Sequence, residues 1–470
     1  MNALPSQGRF WIPEAKDKVV RGELSFDPES GGRLDVPEDT AFAHRDGPAD
    51  AEAASQRLIH GTLEDGRDVT LHECYNSQLR FHLGNSGVPG TSWYVSTLFL
   101  GRHLEDPDAP VFGALQMELP HLAAWAEVEG LSVEPAPTNS DSGHQYLVRI
   151  PLGLHDLLKS EARRVYVSYA TGQHSTRDEV SFSLAANLSI QVQNPMALPS
   201  MLDSLVYPLE AFFSFCVGVP LAYTSLLARL RPDTSAAPHS IIEHEVEILT
   251  LRVPAPKLGR SLHPAQMRLP RPFLNDHATD ALEKWLSAFE RFRPTFDSYF
   301  AVQFSRDMFL QAQLLNLTQA LESYHRRAHG GTYVSKEDFE PVHRRMQEAI
   351  PCTIDSDFRA SIKGRLRYLS EFSLRKRVGV MFDRFSIPFR MFVDDRSEFI
   401  NAVADTRNFF THHEKGEGQN VKEGLELLKL VQKLRMLVEM AMLHEMGVED
   451  EGIRKLCQRP PWSHMLFSAR

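Results

Sequence analysis

The sequence predicts a multidomain α+β protein: a β-rich region over residues 1–275, followed by an all-α helical bundle over 276–470. Three observations predict it. At 470 residues the chain is long enough for about three domains of ordinary size, or two larger ones. Short alternating or apolar runs broken by turn residues fill the first part, as in half-buried strands. Beyond Asp276 apolar residues recur every three or four positions, which lines them up along one side of a helix. The composition, 42% hydrophobic and 24% charged, is that of a globular chain and excludes a disordered, collagen-like or disulfide-stapled one.

Taken in order, residues 69–71, 93–100, 146–150, 164–169 and 188–192 read as strands, separated by turn-rich pieces at 28–32, 64–66 and 106–110. A second division of this region is expected near residues 130–200. Residues 202–216 read as a helix, with Leu205, Leu209, Phe212, Phe213 and Cys216 on its buried side. A strand is expected to start near Leu221, a loop to cover 231–240, a last strand 241–253 and a proline-rich connector 254–272. Leu310, Leu314, Leu317, Leu321 and Tyr324 form one stripe of a long helix over 306–327, closed by Gly330 and Gly331. A second helix is expected within 355–377. A third starts after Asp395, with Glu398 three residues on as in a capping box, and runs to about His413, before Gly416 and Gly418. The last spans about 421–446, burying Leu427, Val431, Leu434, Val438 and Ala441, and four such helices with short joins describe an antiparallel bundle.

Charge separates the two parts. From Arg291 on, 28 Lys plus Arg stand against 24 Asp plus Glu, whereas the preceding part carries 23 against 37. A basic-leaning half is compatible with a nucleic-acid partner and an acidic half is not. The four cysteines lie more than a hundred residues apart, so no metal or redox pair is spaced for use, and a reducing compartment is expected. Residues 1–9 lack the features of a secretory signal, so a cytoplasmic location is expected. The uncharged stretch 211–228 only just reaches membrane-spanning length, and Gly218 and Pro220 interrupt it, which favours a buried helix over a span.

The chemistry concentrates in Asp405-Thr406-Arg407-Asn408-Phe409-Phe410-Thr411-His412-His413. At about 100° per residue, Phe399, Val403, Thr406 and Phe410 define the face turned to the core, Arg407 lies at its edge, and Asn408 and His412 project away from it. Arginine offers a cationic fork to phosphate oxygens, histidine exchanges a proton near neutrality, and an amide one turn away suits holding its tautomer. That set fits cleavage of RNA by its own 2′-hydroxyl and requires neither metal nor cofactor. The sequence has no H-E-x-x-H motif, no Gly-rich phosphate loop and no carboxylate cluster of the two-metal kind. For His60, His72 and His103 the spacing matches no metal site, and structural roles are expected.

Arg407-Asn408-x-x-x-His412 resembles the R-x(4–6)-H signature of HEPN ribonucleases. Gln319-Ala320-Leu321-Glu322 with His325-Arg326-Arg327 is similar to the first long helix of HEPN domains in abortive-infection proteins. Phe10-Trp11-Ile12-Pro13, Arg21-Gly22-Glu23-Leu24, Gly32-Arg33-Leu34, His60-Gly61-Thr62-Leu63 and Gly101-Arg102-His103-Leu104 resemble the N-terminal domain that accompanies HEPN in the ApeA family of single-protein anti-phage defences. The resemblance implies Arg407 and His412 as catalytic pair, with Asn408 as polar support. It also implies a metal-independent endoribonuclease acting on tRNA or other structured RNA, a homodimer through the HEPN domain, and an N-terminal region that receives a phage-derived trigger. Glu322 is a candidate partner of Arg407, and His413 a candidate RNA contact. Arg326 and Arg327, and the basic run Arg365, Arg367, Arg375, Lys376 and Arg377, are candidate phosphate contacts, the alternative being a charged outer face. The competing reading is an inert HEPN-type module that binds RNA or protein.

Overall fold

A computed structural model describes residues 4–37, 55–80, 90–127, 131–135, 146–150, 153–230, 245–252, 262–274, 277–305, 307–413 and 419–464. The expected loop at 231–240 and the glycines at 416 and 418 lie outside these. The chain divides into two compact units, Met1–Thr279 and Asp280–Arg470.

The first unit is built on one antiparallel sheet. Its strands are β1 (Ser6–Trp11), β2 (Val20–Asp27), β3 (Gly31–Val36), β4 (Ser55–Leu63), β5 (Asp68–Arg80), β6 (Gly90–Leu100) and β7 (Phe112–Glu118). After the separate hairpin of β8 (Ser132–Pro135) and β9 (Tyr146–Arg149) come β10 (His155–Lys159), β11 (Arg163–Ser175), β12 (Val180–Met196), β13 (Ser225–Leu230) and β14 (Glu245–Thr250). The order β6-β3-β2-β1-β4-β5 closes on itself because β5 also pairs with β6, which makes a six-stranded barrel. From β6 the sheet continues outward through β14, β13, β7, β12, β11 and β10. The change from barrel to open sheet thus falls between Leu100 and Phe112, before the 130–200 interval suggested by the sequence.

Alternation decides which side chains fill the barrel. In β2, Val20, Gly22 and Leu24 point inward and Arg21 and Glu23 outward. With Phe10, Leu34, Ile59, Leu71, Trp93, Val95 and Leu98 they form the barrel core, each large apolar side chain contributing roughly 1.5–3 kcal/mol by leaving water. Gly61 is required: a Cβ there would lie 2.4 Å from the Phe10 ring.

The helix expected at 202–216 is longer. It runs Leu198–Val217, here α1, with a π-helical turn at Leu202–Val206. Pro199 in its first turn suits a helix start, and Gly218, at φ +90°, ends it. This is the one helix among the described residues long and apolar enough to cross a membrane, but 67% of its most apolar window is buried. Leu205, Leu209, Phe212, Phe213 and Cys216 are all buried, with Trp125 edge-on to both phenylalanines. Residues 221–223 are buried but belong to no strand, which begins at Ser225.

The second unit is helical: α2 (Ala278–Arg291), α3 (Arg293–Phe304), α4 (Leu310–His329), α5 (Lys336–Glu348), α6 (Ser356–Leu366), α7 (Leu374–Arg384), α8 (Arg396–His412), α9 (Gly424–Glu445) and α10 (Asp450–Cys457). There are more helices than the four expected. The stretch 355–377 holds parts of two, because Asp355 and Ser373 each cap a separate start by accepting from amides of the following turn. Leu314, Leu317, Leu321 and Tyr324 of α4 are buried as expected, while Leu310 is half-buried at its first turn. All five residues expected on the buried side of α9 are buried. Between α3 and α9 the Tyr299 hydroxyl donates to Oε1 of the buried Glu439 at 2.6 Å, which gives that buried oxygen a partner.

Candidate active site on helix α8

Helix α8 is anchored at its start by Asp395, whose carboxylate accepts from the amides of Ser397 and Glu398 at 2.8 and 3.0 Å. The reciprocal half of the expected capping box is absent, since Glu398 turns to Lys422 Nζ at 2.8 Å. Phe399, Val403 and Thr406 are buried, but so are Ala402, Ala404 and Asp405. Five consecutive buried residues mean that neighbours surround the middle of α8 on all sides. The expected single core face is therefore corrected: Phe410, assigned to it, is only half-buried. From Ala402 on, exposure follows distance along the axis more than angle around it. Arg407 to Phe410 are half-buried, and Thr411, His412 and His413 are exposed, so the helix emerges from the bundle at its last turns.

Two side chains hold this emerging end. Asp405, with 7% of its side chain accessible, accepts from Arg375 of α7 and from the Asn420 amide, the latter at 3.0 Å. The Thr406 hydroxyl accepts from the Lys422 amide at 3.0 Å. The segment after α8 is thus tied back to the helix one to two turns before its end. Sequence reasoning missed Asp405; its signal is a carboxylate placed among Val403, Ala404 and Thr406, where burial demands a partner.

Arg407 extends from α8 toward α4. One guanidinium nitrogen donates to Asn408 Oδ1 at 3.1 Å, and another lies 4.0 Å from Glu322 Oε2, with both side chains about one-third exposed. The Asn408 amide oxygen therefore serves Arg407 and not, as expected, the imidazole one turn on. His412 is exposed and makes no side-chain hydrogen bond to the described residues. Arg407 and His412 share no hydrogen bond; five residues of regular helix set them about 140° apart and about 7.5 Å apart along the axis. His413 is the helix terminator: it sits at φ +55°, in the left-handed region, its amide donates to Phe409 O at 2.6 Å, and its ring meets Phe409 edge-on.

The expected phosphate contacts divide. Arg377 is corrected outright. It is 1% exposed, and its guanidinium donates to the carbonyls of Phe372 and Gly330 at 3.1 and 3.0 Å and to His325 Nδ1 at 3.1 Å, so no phosphate reaches it. Burial first, and the neighbouring Arg377 charge second, push His325 down to about 4, which keeps its ring neutral and able to accept. Arg375 is held by Asp405 and by Asn401 Oδ1 at 3.3 Å, and Arg326 pairs with Glu371 at 2.8 Å. Arg327 donates to the Arg291 carbonyl at 3.1 Å, and the Lys376 ammonium stands 5.6 Å over the Phe372 ring. Arg365 and Arg367 are exposed. In the first unit His60 and His103 stack at 4.8 Å, and their Nε2 atoms lie 2.9 and 2.8 Å from the Leu104 and Gly61 carbonyls, as structural histidines do.

A helical bundle with an Arg/His pair at the end of a long internal helix belongs to the HEPN class, and residues 315–452 match the family model described as Apea-like HEPN. Residues 5–285, more than half of the chain, match the model described as ApeA N-terminal domain 1, and the chain belongs to the ApeA family. No curated protein and no solved structure matches it. HEPN domains are generally ribonucleases, and membership of the ApeA family fits a role in anti-phage defence.

Proposed function

We propose that the protein is a cytoplasmic, metal-independent endoribonuclease of abortive-infection-type anti-phage defence, with host tRNA as its main substrate. One observation supports the reading: helix α8, buried without interruption from Ala402 to Thr406, emerges over its last two turns, where the Arg407 side chain is about one-third exposed and His412 is exposed. In the reaction the 2′-oxygen attacks the adjacent phosphorus while an imidazole takes its proton. The bond from phosphorus to the 5′-oxygen breaks, and a second imidazole protonates that oxygen, leaving a 2′,3′-cyclic phosphate and a 5′-hydroxyl. The Arg407 guanidinium stabilises the dianionic phosphorane, and Asn408 orients it. Because the pair does not meet within one chain, two copies related by a twofold axis supply base and acid from two His412 side chains. The N-terminal unit restrains this activity until it meets a phage-derived trigger.

The test is cleavage of total tRNA by purified full-length protein in EDTA. His412→Ala and Arg407→Ala, each folding like the wild type, are expected to lose activity by about 10²- to 10⁴-fold. Unchanged cleavage by both variants overturns the assignment, and binding without cleavage by the wild type returns the inert-module reading.

A further inference from the structure

Residues 332–371 of the helical unit form a hairpin of α5 and α6 in which neither helix buries a single residue. Neither has strong intrinsic support, since Pro341 lies inside α5 and Gly364 inside α6. Helices in folded proteins owe most of their stability to packing, and neither of these buries a residue. The neck is nevertheless clamped: the Tyr333 amide donates to Ser370 O at 2.7 Å, the Phe372 amide to Gly331 O at 2.9 Å, and Thr332 bridges Glu371. A hairpin held at its base and burying none of its helical residues leaves its faces open to a ligand.

Its chemistry says what. From Phe358 to Ser370 the chain carries Arg359, Lys363, Arg365 and Arg367 and no carboxylate, in a protein of net charge −10. Among the described residues none of these four cations is paired with a carboxylate, in contrast to Arg375, Arg377, Arg384 and Arg396, which all have acidic partners. Phe358 and Tyr368 flank the run, 58% and 66% exposed, and neither stacks on another ring among the described residues. Unpaired cations between open aromatic faces are what a single-stranded nucleic acid requires, its phosphates taking the charge and its bases the rings. Position agrees. Glu322, beside Arg407, and Arg326, which pairs with Glu371 at the neck, are one turn apart on α4, about 6 Å along its axis. The other strand of the neck leads directly to Arg375, which holds Asp405 of α8.

We infer that α6 and the turn after it are the substrate-holding arm of the ribonuclease, gripping unpaired nucleotides of the RNA whose scissile phosphate lies at Arg407 and His412. The inference rests on the ribonuclease reading and adds the residues that hold the substrate. The test uses wild-type and variant full-length protein and a fluorescent 2′-O-methyl oligoribonucleotide, which lacks the attacking hydroxyl and is bound without being cut. Phe358→Ala with Tyr368→Ala is expected to weaken binding at least tenfold. Arg365→Ala with Arg367→Ala is expected to lower the slope of log affinity against log salt by about 1.4, about 0.7 for each lost phosphate contact, and the two Lys replacements to restore it. Wild-type affinity and slope in both Ala variants overturn the arm, and if tRNA cleavage persists the nuclease reading stands without it. If instead the variants bind as expected while wild-type protein leaves tRNA intact, the arm stands and the proposed chemistry fails. Unchanged RNA affinity together with dissociation of a dimer in sedimentation assigns the face to a protein contact and overturns the arm as well.

Discussion

Helices α6 and α8 begin alike and end differently. Each is capped by an aspartate, Asp355 or Asp395, whose carboxylate accepts two amide hydrogens of the first turn. Yet α8 buries Phe399, Ile400 and the whole run from Ala402 to Thr406, while α6 buries nothing. The cations around them follow suit: those beside α8 are taken up by Asp405, Glu371 and backbone carbonyls, and those on α6 have no acidic partner among the described residues. A cap decides where a helix starts. What the helix is for depends on what its sides meet, and in this unit the packed helix carries the proposed reactive pair at its emerging end while the unpacked one offers an open surface.

The sharpest way to break this contrast is at Arg377, the cation that sequence alone would group with its exposed neighbours. Arg377→Met removes the donor to Phe372 O, Gly330 O and the buried His325 Nδ1 and takes a buried guanidinium out of the unit, so it is expected to cost about 3 kcal/mol, read as a lowered urea midpoint. A change below about 0.5 kcal/mol would place Arg377 among ordinary surface charges and undo the distinction.

Much of this was legible beforehand, and the failures have physical causes. The strands, the stripes on α4 and α9 and the start of α8 are local patterns of period and cap, and the structure shows them. The all-round burial of α8 was not legible, because alanines at 402 and 404 signal no side by themselves, and only the placement of α4, α7 and α9 encloses them. Arg377 was misjudged because a basic run looks solvated in sequence, whereas Gly331 at φ +112° brings its backbone onto that guanidinium: a Cβ there would lie 2.7 Å from the nitrogen. The Arg407 and His412 motif was readable as a pattern. That the two side chains do not meet was foreseeable from their spacing, but the preference of Asn408 for Arg407 over His412 was not, since an amide next to both is uncommitted until side-chain directions are known.

The His325 contact sharpens the comparison by pH. Its imidazole is held neutral down to about 4 in the folded protein, chiefly by burial, while in the unfolded chain it takes up a proton near 6.5. Between those values the unfolded state binds more protons, so stability rises with pH across that window, and acidification costs up to about 3 kcal/mol at this site. Urea midpoints at pH 7 and pH 5 check this against His325→Gln, which is expected to flatten that part of the dependence. An identical slope in the variant would assign the acid sensitivity to other groups.

The smallest effect is expected at Glu322, and its smallness is informative. Its carboxylate stands 4.0 Å from the Arg407 guanidinium, both side chains are about one-third exposed, and such pairs contribute about 0–1 kcal/mol. Glu322→Gln should therefore leave the urea midpoint almost unmoved. A guanidinium meant for a phosphorane must be free to leave its resting partner, so a weak tether is what the proposed chemistry requires. The same variant should leave tRNA cleavage in EDTA intact or modestly faster. A loss of more than about 2 kcal/mol in stability would show that Arg407 is locked in the bundle, and the reactive pair on α8 would then have to be sought elsewhere.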